Sequence, residues 1–179
     1  MAENKKEPAR VLATREAYKN RWLTVVERDV AFAPGEAIQQ YYSLRIGDYV
    51  SIFAETPDDK VALVRQFRPA VGEYVWELPA GLMDVEGETA GICCSRELKE
   101  ETGLEAKSIS FLGSFFPDTG RLGNRLHVFH VKTGSVPKAF VEEPGVSVAY
   151  FSRTELRELI RSGKFPHLLH IAAVYLVLG

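Results

Sequence analysis

Between residues 20 and 150 only one stretch carries helical punctuation, from about Thr89 to Gly103, and strand-like segments stand on both sides of it. Before it, WLTVVERDVAF, IQQYYSLR, DYVSIFA, KVALVRQF and EYVWEL are rich in β-branched and aromatic residues, and after it come AKSISFLGSFF, RLHVFHVK and VSVAYF. Two helical segments close the chain: SRTELRELIRSG, which opens on a Ser-x-x-Glu capping box, and HLLHIAAVYLVLG. A doubly wound parallel sheet needs a helix between nearly every pair of strands. Those helices are missing, so the pattern predicts an α/β (α+β) chain in which helices sandwich a mixed sheet.

Residues 1–15 are polar and read as a flexible arm, 16–46 as an N-terminal β-subdomain, and 47–179 as the main domain. A chain of 179 residues, 46% apolar and 26% charged, is long enough for a real core with a small appendage. A formal net charge of −2 argues against nucleic acid or an acidic membrane as a non-specific partner, because both want a basic surface. No run approaches the roughly 18 apolar residues of a membrane span. The two cysteines, Cys93 and Cys94, are adjacent within the predicted helix and cannot build a disulfide framework or a four-ligand zinc site. A reducing, cytoplasmic setting fits them.

The helix ends in RELKEETGL. Glu97 and Glu101 sit one turn apart on one face and Glu100 lies at i+3 from Glu97, so three carboxylates share a narrow arc. Arg96 is spaced to reach Glu100 and, two turns back, Glu88; Ala90, Cys94 and Leu98 mark the opposite, core-facing stripe. A solvated acidic face is the plainer reading. Against it, the cluster falls in the last turn, where the helix dipole favours cations, and it follows the glycine-punctuated loop PAGLMDVEGE, which can bring backbone carbonyls close. Clustered hard oxygen atoms are what Mg²⁺ or Mn²⁺ takes.

GLMDVEGETAGICCSRELKEETGL, Gly81 to Leu104, resembles the Nudix box: Gly, five residues, Glu, seven residues, Arg-Glu, an aliphatic, any residue, Glu-Glu, any residue, Gly, an aliphatic. Every defined position from Glu88 onward matches. One departure is that six residues separate Gly81 from Glu88. The resemblance implies a Nudix-like α/β/α sandwich with a small N-terminal antiparallel β-subdomain, and hydrolysis of a nucleoside diphosphate linked to another group. It also implies that Glu97 and Glu101 hold Mg²⁺ (or Mn²⁺) with help from Glu100 and the Ala80 carbonyl, and that Glu88 and Arg96 are structural braces.

The flanks narrow the branch. VRQFRPAVGEYVWELPAGLMD, Val64 to Asp84, looks like the ADP-ribose or ADP-sugar pyrophosphatase branch, which implies a phosphate contact for Arg68; a surface charge is the alternative. The segment YKNRWLTVVERDVAFAPGEAIQQYYSL resembles the same branch, whose N-terminal strands exchange between subunits and supply aromatics that sandwich adenine. That implies a homodimer and a stacking role for Trp22 and one of Tyr41 or Tyr42, with core packing as the alternative. In PDTGRLGNRLHVF, Asn124 and Arg125 stand where many relatives carry acidic residues beside the terminal sugar, so GDP-mannose or another nucleotide sugar stays open as substrate. FVEEPGVSV offers Glu142 and Glu143 for the catalytic or metal-binding glutamate that a mobile loop often supplies in this branch, solvent-facing charge being an equal reading. A non-catalytic module that binds ADP-ribose is the rival outside enzymes. His127 and His130 point to opposite faces of a strand, while His167 and His170 can share a helix face with nothing to complete a site.

Overall fold

A computed structural model describes residues 9–179. Its elements in chain order are β1 Arg10–Lys19, β2 Thr24–Ala31, β3 Gln39–Arg45, β4 Tyr49–Glu55, β5 Lys60–Arg68, β6 Glu73–Glu77, β7 Ala80–Leu82, α1 Ala90–Thr102, β8 Ala106–Phe115, β9 Leu126–Thr133, β10 Val146–Ser152, α2 Arg153–Arg161 and α3 Leu168–Leu178. The chain divides into two compact units, Met1–Gly47 with Phe116–Asn124, and Asp48–Phe115 with Arg125–Gly179.

The first unit carries a three-stranded antiparallel sheet in the order β1-β2-β3. The arm expected over 1–15 needs correction. Its first eight residues lie outside the described part of the chain, but Arg10–Lys19 is a strand on β2 with two register shifts. Nine of its ten residues are exposed, so main-chain hydrogen bonds and the Arg15 fork onto Glu27 and Asp29 of β2 hold it, and no alternation of apolar side chains announces it. The single boundary at residue 46 is also too simple. Phe116–Asn124 belongs with the first unit, where Arg121 accepts the Leu44 N–H at 2.8 Å on its carbonyl and Leu122 bridges Leu44.

The second unit is built on a seven-stranded mixed sheet, β10-β5-β4-β9-β8, with β6 paired to β5 and β7 to β4. β4 and β9 run parallel, and the other pairings are antiparallel. β4 and the Val61 to Val64 part of β5 are buried on both faces, and alternate residues enter separate cores. Val50, Ile52 and Ala54 pack with Cys93, Cys94 and Leu98 of α1, whereas Phe53, Val61 and Leu63 pack with Leu156 of α2 and Ala173 and Val174 of α3. This is the α/β/α sandwich expected from the sequence. Among the described residues no helix is long and apolar enough to cross a membrane.

Candidate active site

Thr89 caps the start of α1 by accepting the Ile92 N–H at 3.3 Å, and Gly103 ends it in the left-handed region at φ 69°, donating its N–H to the Lys99 carbonyl. Cys93, Cys94, Leu98 and Thr102 are buried against the sheet, which turns the box carboxylates away from the core. Burial pushes both thiols up to about 12, so at neutral pH they are packing groups and not nucleophiles. The Arg96 guanidinium forks onto Glu88 with two bonds of 2.9 Å and also donates to Glu97 at 2.6 Å and Glu100 at 3.0 Å. That fork holds the Glu88 carboxyl below its ordinary range and ties the loop to the helix, as the spacing suggested.

The hydrogen bond from Ile52 N–H to the Pro79 carbonyl (2.9 Å) sets the phase of the β4–β7 ladder. In an antiparallel ladder the next residue then directs its N–H and C=O away from the partner strand, and Ala80 does so: its N–H donates to Glu101 Oε2 at 2.9 Å. Burial pushes the Glu101 carboxyl up to about 8, against the pull of that N–H, and the charge of Glu97 adds to the rise. Burial raises Glu97 as well, opposed by Arg96. Gly81 explains how Glu97 fits. A Cβ there would stand 1.8 Å from the Glu97 carboxyl carbon, so only glycine lets this carboxylate lie against the strand.

Among the described residues no three carboxylate, histidine or cysteine side chains form a closed cluster for an ion; Glu97 and Glu100 turn to Arg96, and Glu101 turns to Ala80. The site offers an arc of hard oxygen donors instead, Glu97, Glu100, Glu101 and the outward carbonyl of Ala80, beside a strand cleared of side chain at Gly81. That donor set suits Mg²⁺ or Mn²⁺.

Arg68, at the end of β5, donates its Nε to Glu77 at 3.0 Å and forms an ion pair with it; Glu77 also accepts from Gln66. The Glu77 side chain is 2% exposed and that of Arg68 41%, so one face of the guanidinium stays open, in a cleft lined by Val71, Val75, Pro166 and His167. The loop after β9 carries Glu142 and Glu143. Phe140 and Pro137 of that loop lie over Gly103, where an added Cβ would meet the Phe140 ring at 2.5 Å. The loop is thereby seated on the end of α1 that bears Glu100 and Glu101. Glu142 accepts the Val148 N–H at 2.7 Å, and the Glu143 carbonyl accepts that of Val146 at 3.0 Å. Sequence reasoning missed the roles of Glu77, Phe140 and Gly81, whose meaning depends on what packs beside them.

In the first unit Trp22 is 64% exposed in the β1–β2 turn, with the Arg21 guanidinium 4.3 Å from its ring centre, so core packing is not its role here. Tyr41 and Tyr42 face opposite ways. Tyr41 donates to the Gly120 carbonyl and lies under Arg121, and Tyr42 donates to Glu27 at 3.2 Å. Both line a shallow cleft with Val25, Gln40 and Arg121, which Trp22 does not reach. Asn124 differs from expectation. It is buried, with its amide donating to the Gly47 carbonyl at 3.1 Å, and braces the chain where a substrate contact was expected. Arg125 is exposed, and its N–H donates to Asp48 at 2.7 Å.

Comparison with known proteins agrees with this geometry. Residues 46–170 match the NUDIX domain family. The chain is 30% identical over 156 residues to an ADP-ribose pyrophosphatase of Mycobacterium tuberculosis, covering 85% of this chain and 75% of that one. It is 28% identical over 127 residues to an ADP-ribose pyrophosphatase of Bacillus subtilis, covering 71% and 68%. In fold it resembles the crystal structure of an ADP compounds hydrolase, with a TM-score of 0.79 at 21% identity over 94% of this chain and 91% of that one.

Proposed function

The chain belongs to the Nudix family of hydrolases that act on pyrophosphate bonds, and from that premise we propose that it cleaves a nucleoside diphosphate sugar, ADP-ribose first, to AMP and ribose 5-phosphate. The observation that carries this reading is the pairing of Glu101 with the Ala80 backbone beside Glu97 packed on Gly81. Glu97 and Glu101, with Glu100 and the Ala80 carbonyl, would hold Mg²⁺, Mn²⁺ being the alternative. A divalent ion held by these residues would supply charge to offset the diphosphate and to make a water more acidic. Burial raises the Glu101 carboxyl when no ion is bound; a cation held there would favour the carboxylate, with the proton passing to solvent.

Arg96 and Glu88 keep the helix and loop in register. The open face of Arg68 meets a phosphate, its other edge being held by Glu77. Glu142 and Glu143, on the loop seated over Gly103, are the candidates for a further carboxylate at the reaction centre. Trp22 with Tyr41 or Tyr42 stacks on adenine. Because Trp22 does not line the cleft that holds the tyrosines, the reading includes a homodimer in which the N-terminal strands of two copies complete the base site. Neither nucleic acid nor a membrane is a partner in this scheme, and its setting is the cytoplasm. An exposed Arg125 keeps another nucleotide sugar, such as GDP-mannose, as the second reading.

The test is product analysis with Mg²⁺ and, separately, ADP-ribose, ADP-glucose, GDP-mannose and UDP-glucose. AMP released fastest from ADP-ribose is expected, and a guanine or uracil preference would overturn the adenine assignment. Glu101→Gln should lower turnover by about two orders of magnitude with the fold intact, since it removes metal charge and not core packing. Near-normal hydrolysis by that variant would sink the ligand assignment.

A further inference from the structure

The residues between β6 and β7 make a short buried segment whose polar groups can be followed one by one. The Glu77 carboxylate is held by Arg68 and Gln66, the Pro79 carbonyl by Ile52, and the Ala80 N–H by Glu101. Pro79 has no N–H of its own. The remaining donor, the N–H of fully buried Leu78, points to His170 Nδ1 at 3.2 Å, across 92 residues of chain. His170 is 1% exposed and lies in the first turn of α3. Its ring stacks on that of His167 at 3.9 Å and 11°, and His167 Nδ1 in turn accepts the His170 N–H at 3.5 Å and caps the helix.

An imidazole nitrogen that accepts carries no proton, so both rings sit as neutral tautomers protonated on Nε2. Their surroundings favour that state. Burial lowers both pKa values; at His170 the neighbouring His167 and then Arg68 from β5 lower it further, while at His167 Glu77 from β6 raises it and Arg68 lowers it. The neutral pair sits beside the ion pair that orients Arg68, and two residues upstream of the backbone that holds Glu101.

We propose that His170 is a positioning residue for hydrolysis: by accepting the Leu78 N–H it fixes the Glu77–Ala80 segment, and through it the aim of Arg68 and the seat of Glu101. This rests on the reading of Arg68 and Glu101 as phosphate and metal groups. Losing the acceptor leaves Leu78 N–H buried and unpaired, which lets the segment shift instead of merely weakening a surface contact.

Two variants separate positioning from simple packing. His170→Leu removes the acceptor, whereas His170→Asn keeps an acceptor near the Nδ1 position and cannot take a proton. On ADP-ribose with Mg²⁺, His170→Leu is expected to lower kcat about tenfold or more with KM little changed, and His170→Asn to restore most of it. Amide exchange followed by NMR reads the same pin without any substrate. His170→Leu should speed exchange at Leu78 and Ala80 by about tenfold, and His170→Asn should not. In the wild type, protection at Leu78 should fall as pH drops below the imidazole range, while His170→Asn stays flat; this comparison carries the test if His170→Leu does not fold. Equal kcat loss in both variants, or unchanged protection at Leu78 in His170→Leu, overturns the proposal. A wild type that turns over no nucleotide sugar yet shows the exchange pattern overturns the catalytic reading and leaves the pin standing.

Discussion

Gly81 is the residue on which the geometry of the carboxylates turns. Its backbone is in an ordinary extended conformation, so alanine brings no strain of its own, yet the new methyl would overlap the Glu97 carboxyl group. That group is the far end of a flexible side chain and can swing away. Gly81→Ala is therefore expected to keep stability within about 1 kcal/mol while lowering kcat about tenfold or more, checked by urea unfolding beside steady-state kinetics. A loss of fold instead of activity would show that the strand, and not Glu97, needs the space. The Arg96–Glu88 brace was legible in the sequence from the match to the box, Glu88 standing in the loop just before the Thr89 cap. Burial of Asn124 was not legible: a polar residue in a glycine-containing loop reads as solvent-facing until the Gly47 carbonyl is found against it.

Among the elements, α2 shows how one buried charge can fasten a helix to a sheet. Its start carries the expected Ser152–Glu155 capping box, and Arg153 beside it reaches Glu55 at the end of β4, which His130 and Lys132 of β9 also contact. Burial raises the Glu55 pKa, but those three donors outweigh it and hold the carboxyl down at about 2. A depressed carboxyl pKa stabilises the fold fully above the unfolded value and loses that contribution as pH falls from about 4.5 toward 2. Glu55→Gln should cost about 1–2 kcal/mol at neutral pH, the cations being half-exposed, and should flatten the acid limb of stability between those values. Urea midpoints across that pH range give the check, and parallel curves for the two proteins would refute it. Most strands, and all three helices, were readable from composition and caps. β1 was not, because its side chains are almost all exposed, and neither was β7, three residues hidden in a glycine-rich turn.

At the scale of the whole molecule the sandwich could be read from the order of elements, but the extent of the first unit could not. Tyr41 bonds to Gly120, 79 residues away, and no local pattern reports such a contact. On the proposed dimer, removing residues 1–45 should convert the protein to a monomer and raise KM for ADP-ribose about tenfold or more, since stacked aromatics are lost. Sedimentation and kinetics on the truncated chain decide this, and a truncated dimer with unchanged KM would count against exchanged strands. Because Phe116–Asn124 returns to the first unit after β8, that unit is not one continuous cassette. A chimera that grafts another protein's N-terminal sheet at residue 47 would inherit a foreign partner for Leu44 and Tyr41. Recombination between relatives must therefore cross over in three places, after residues 47, 115 and 124, to move this unit whole, which couples drift in the leading strands to drift in a loop far along the gene.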